Sequence, residues 1–102
     1  MLNQIDKPAL TLHLKTGINQ CKLEMAKSKN TGKALLEGRG FAFRDLLIFR
    51  DCDCLEAYIK GGIYDAERGI RDTNSTSLER SYCMGRKLAF EETLVLLKEL
   101  DK

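Results

Sequence analysis

Leu10, Leu14, Ile18, Cys21 and Met25 recur at spacings of four, four, three and four. At about 100° per residue they fall within about 80° of one another, the mark of an amphipathic helix. Asp6 stands where an N-cap belongs, Pro8 suits the first turn, and Ile5 is placed to staple against Leu10. The pattern predicts a helix over residues 7–29, closed by Asn30 or Gly32 in the left-handed conformation. Gly17 lies at the edge of the stripe, where an interior glycine is either tolerated at about 1 kcal/mol or admits a close helix crossing.

The next stretch is broken by Gly38 and Gly40, and Phe41-Ala42-Phe43 is compatible with a strand or a helix. From Ile48 the helical phase is clear: Ile48, Cys52, Leu55, Ile59, Ile63, Ala66 and Ile70 share one face. The phase survives Gly61-Gly62, which predicts one kinked helix over residues 43–71. The alternative is two helices, with Asp53 and Glu56 forming a capping box for the second. After the polar connector Asp72–Ser77, Thr76 and Glu79 form a capping-box signature for a last helix reaching residue 100.

That last helix carries two apolar stripes. The main one holds Leu78, Tyr82, Cys83, Ala89, Phe90, Leu94, Leu96, Leu97 and Leu100. The other holds Met84, Leu88 and Val95 within about 40°, bordered by Glu91, Glu92 and Glu99. Two stripes need two packing partners, either the 30–44 segment of the same chain or a second molecule. The fold class expected is all-α: an elongated bundle of three long helices, four if the middle one breaks, completed by self-association. No internal repeat stands out.

Composition sharpens this picture. With 102 residues the chain is one domain, 43% apolar content excludes a disordered tail, and 31% charged residues leave no membrane span. The net charge is only +2, but residues 1–44 carry 8 basic and 3 acidic side chains while residues 45–102 carry 9 and 12. Lys15, Lys22 and Lys29 recur every seven residues, and Lys33, Arg39 and Arg44 follow, a series able to track phosphates or to border a buried seam with alkyl stems. The first eight residues do not read as a secretory signal, so a cytoplasmic, reducing setting is expected, with all four cysteines as thiols.

No catalytic set, metal site or cofactor site is read from the residues. Cys52-Asp53-Cys54 has a one-residue gap that, inside a helix, would aim the two sulfurs far apart, and Cys21, Cys52 and Cys83 lie on apolar stripes. His13, the one histidine, is expected on a solvated flank beside Gln20 and Lys27. Asp51 with Asp53 and Glu91 with Glu92 point to different faces of a helix, and Gly38-x-Gly40 and Gly61-Gly62 lack the rest of a phosphate loop. The expectation is a small non-catalytic intracellular regulator, inhibitor or adaptor docking on a protein through Met84, Leu88 and Val95. The alternative is a nucleic-acid-binding regulator using Lys15, Lys22, Lys29, Lys33, Arg39 and Arg44.

Overall fold

A computed structural model describes residues 7–100 and shows helices α1 (Lys7–Met25), α2 (Asn30–Ile48), α3 (Leu55–Arg71) and α4 (Ser77–Leu100). Among the described residues there is no strand. The cap at Asp6 and the Ile5–Leu10 staple lie outside the described residues. The four helices pack into a body of 40 × 29 × 20 Å, elongated as the long stripes require.

α1 buries the face its stripe predicts: Leu10, Leu14, Ile18 and Cys21 are in the core. It ends at Met25 rather than near residue 29. Backbone bonds from Lys27 to Glu24 and from Ser28 to Met25, with the Ser28 hydroxyl on the Glu24 carbonyl, take up its last acceptors. Asn30 carries the left-handed φ of 55° that lets α2 start in a new direction.

The single helix expected over 43–71 is instead two. α2 begins at Asn30 and absorbs Gly38 and Gly40, while residues 49–54 are non-helical. The Phe49 amide closes on Asp45, turn bonds from Cys52 to Phe49 and from Leu55 to Cys52 reverse the chain, and the Phe49 ring comes to 5.1 Å from that of Tyr58. The helical phase running from Ile48 through Cys52 is therefore coincidence, and Ile48 is 74% exposed. Asp53 and Glu56 form no capping box; Cys54 occupies the N-cap without a side-chain bond. α3 then runs unbroken through Gly61-Gly62. The Thr76 box at the start of α4 forms as expected, with Glu79 N–H on the Thr76 hydroxyl at 3.1 Å and Thr76 N–H on the Glu79 carboxylate at 3.0 Å.

The packing has an internal order that the sequence reading missed. α1 packs on α2, α2 on α4 and α4 on α3, an arrangement unchanged when the α1–α2 and α3–α4 hairpins are exchanged. A Cβ at Gly38 would strike the Tyr82 carbonyl and then Arg86 N; one at Gly85 would strike the Leu35 carbonyl and then Arg39 N. Each residue in the second set lies 47 positions from its counterpart in the first. Likewise a Cβ at Gly17 would meet the Phe43 ring at 2.6 Å, and one at Gly62 the Phe90 ring at 2.6 Å. The sequence carries the same relation: Gly38-Arg39-x-x-Ala42-Phe43 matches Gly85-Arg86-x-x-Ala89-Phe90, and Leu10, Leu14, Gly17 and Ile18 match Leu55, Ile59, Gly62 and Ile63. The molecule is two like hairpins facing each other through α2 and α4, whose backbones touch where glycine removes the side chain.

Candidate docking surface and polar cross-ties

The α2–α4 contact positions everything outside the core. α4 turns Gly85 toward α2, so α2 covers a face other than that of Met84, Leu88 and Val95. Those three side chains remain 36%, 37% and 60% exposed. Under the hairpin exchange Leu88 corresponds to Phe41 and Val95 to Ile48, and both of these α2 side chains are exposed as well. The Phe41 ring lies 6.2 Å from that of Tyr82, which helps to line a groove of about 650 Å³ between the first halves of α2 and α4. Ala34, Leu78 and Cys83 supply apolar lining and Glu37, Glu79 and Arg86 the charged rim. Sequence reasoning placed Leu78 and Tyr82 on the main stripe and did not find this groove, because α2 was not foreseen as a helix starting at Asn30.

The hairpins are also tied by polar side chains at equivalent places. In one tie the Thr93 hydroxyl donates to the Ala89 carbonyl at 2.9 Å, leaving its oxygen to accept from His13 Nε2 at 3.3 Å. The His13 ring meets the Phe43 ring edge-on at 5.5 Å. In the other tie Tyr58, at the position equivalent to His13, donates to the Asp45 carboxylate and meets the Phe90 ring at 6.4 Å. Arg39 lies over Phe43 and Arg86 over Phe90, at 5.4 and 5.8 Å, and both have a buried Nε with no hydrogen-bond partner. Arg39 completes its tie by donating from Nη2 to both carboxylate oxygens of Glu92, at 2.7 and 2.9 Å.

His13 is thus half-buried, not on a solvated flank. Burial lowers its pKa, with Glu92 opposing and Arg39 reinforcing that shift. Burial raises Tyr58 to about 12, helped by its bond to Asp45 and the charge of that carboxylate. A shallow cleft of about 520 Å³ lies beside His13 and Arg39.

The basic series is shared between α1, the α1–α2 connector and α2. Lys15 and Lys22 are exposed on α1, Lys29 belongs to the connector, Lys33 and Arg44 are exposed on α2, and Arg39 is engaged by Glu92. The Cys52–Cys54 pair also differs from expectation: it lies in the connector, not in a helix, and its two sulfurs meet at 2.7 Å. Among the described residues no group of three or more His, Cys, Asp or Glu side chains is placed to hold a metal ion. No described helix is long and apolar enough to cross a membrane. No protein-family model, curated protein or solved structure matches the chain.

Proposed function

We propose that the protein is a non-catalytic regulator, inhibitor or adaptor of the cytoplasm that docks its outer apolar positions on a protein, a second copy of the chain being one candidate. The observation that carries this reading is the matched exposure of Phe41 with Leu88 and of Ile48 with Val95. A single exposed apolar residue needs no explanation, whereas large apolar side chains left outside the core at both members of two equivalent pairs support a docking role. The gain on docking comes mainly from Ile48 and Val95. Met84 and Leu88 are already about two-thirds covered, so each contributes less than the roughly 1.5 kcal/mol or more of a fully buried aliphatic side chain.

Replacing Leu88 and Val95 together by Asp tests the reading. A docking surface predicts unchanged helicity and cooperative unfolding, with loss of the association that sedimentation at rising concentration detects for the unaltered chain. If the unaltered chain sediments as a monomer throughout and the double variant loses cooperative unfolding, the two side chains are ordinary core. Binding to generic DNA or RNA that falls steeply with salt would instead favour a nucleic-acid regulator using the exposed lysines.

A further inference from the structure

We infer that Cys52 and Cys54 form a dithiol site that exchanges with small uncharged or cationic disulfides and closes to an intramolecular disulfide. Three observations carry this. The two sulfurs are already in contact at 2.7 Å. Neither is locked in a helix, since Cys52 belongs to the connector and Cys54 is the N-cap of α3, so little backbone change separates the dithiol from the bonded form. The other thiols have no sulfur partner of this kind: Cys21 is sealed in the core, and Cys83, half-buried beside Gly69 in the lining of the α2–α4 groove, stands alone.

The steps balance without another reagent. The Cys52 thiolate, whose sulfur accepts the Cys54 N–H at 3.4 Å, attacks one sulfur of the small disulfide. A mixed disulfide forms and one small thiolate leaves, taking up the proton that Cys52 gave to solvent. Cys54, the group that holds its proton longer because of its hydrogen bond to Cys52, then ionises and attacks the Cys52 sulfur. The Cys52–Cys54 bond forms, the second small thiol leaves, and the dithiol has lost two electrons and two protons to the disulfide that was reduced. The second step is intramolecular between touching atoms, so the mixed disulfide does not accumulate. With one residue between the cysteines the ring is small, and reductant reopens it easily.

The surroundings set the class of disulfide. Asp45, Asp51, Asp53 and Glu56 surround the pair, with Arg50 in the same stretch and Lys60 3.8 Å from Glu56, which leaves a net negative field that disfavours anionic disulfides relative to cationic ones.

The test treats the full chain with cystamine and, separately, with glutathione disulfide at equal concentration, then reads intact mass and the linked peptide. The expected product has lost two hydrogens, links Cys52 to Cys54 and carries no adduct. It should form several-fold faster with cystamine, by a margin that narrows with added salt. Cys52→Ser and Cys54→Ser, both changed in the connector outside any helix, should each retain a stable adduct at the remaining cysteine. Stable adducts on both connector thiols of the unaltered chain, linkage to Cys83 or to another chain, absence of oxidation, or equal rates with the two disulfides would each overturn the assignment.

Discussion

Single atoms decide whether the two hairpins can meet. A methyl group at Gly38 or Gly85 would overlap a backbone carbonyl of the opposite helix, and backbone cannot rotate aside as a side chain can. Gly38→Ala or Gly85→Ala is therefore expected to lower stability by about 3 kcal/mol, the upper range for an overpacked core. Gly61 supplies the control: it also lies within a helix, but nothing beyond its chain neighbours and its own helix backbone stands within 4 Å of its missing Cβ. Gly61→Ala should raise stability by about 0.5–1 kcal/mol, and denaturant unfolding of the three variants checks the contrast. The cross-ties give a pH signature in opposite directions. His13 has a lowered pKa in the fold, so its contribution is complete above the unfolded value of 6.5 and is lost as pH falls below it. Tyr58 is raised from 10.0 to about 12, so its contribution is complete below 10.0 and is lost as pH rises toward about 12. Melting curves of His13→Gln and Tyr58→Phe should lack the acid and the alkaline decline respectively, and an unaltered profile in both would show the ties to be incidental.

The elements differ in how plainly the chain announces them. α1 and α4 were legible because apolar positions keep one face over several turns and, in α4, Thr76 and Glu79 satisfy each other's amides in the way their spacing foretells. α2 and α3 were not separable by the same means. Ile48, Cys52 and Leu55 continue a helical phase across a turn, and nothing in periodicity distinguishes that coincidence from a helix. The useful signal was chemical: Asp51, Cys52, Asp53 and Cys54 are all poor helix formers, and their polar run offers the turn more than the helix. Gly38 and Gly40 misled for a related reason. Read as breakers, they lie inside α2 because the partner backbone comes so close at Gly38 that only glycine fits. His13 is half-buried rather than on a solvated flank because its partner Thr93 lies 80 positions away and reaches it only through the packing of the whole bundle.

At the scale of the molecule the repeat was present in the sequence, in Gly-Arg-x-x-Ala-Phe at 38–43 and 85–90, yet too short to stand out without the reciprocal glycine contacts that explain it. The exchange of hairpins also relates the end of α4 to the start of α1. Val95 corresponds to Ile48 and Leu10 to Leu55, and the chain passes from Ile48 to Leu55 with six intervening residues, 49–54. The gap between Val95 and Leu10 is then of the same size. A permuted chain that begins at Asp53, runs to Lys102, continues directly into Met1 and ends at Cys52 has eight residues outside the described helices, 101–102 and 1–6, to join α4 to α1. That is longer than the six-residue connector 49–54 that makes the equivalent turn. The permuted chain should keep the helix content of the original and unfold cooperatively. The expected loss of stability is about 1–2 kcal/mol, since lengthening a loop costs only about 0.6 kcal/mol per doubling and the cut falls in a turn rather than a helix. Circular dichroism during thermal unfolding reads both quantities. A permuted chain that is helical but melts without cooperativity, beside an original that melts sharply, would mean that the connector between the hairpins is itself part of the core and that the two halves are not interchangeable.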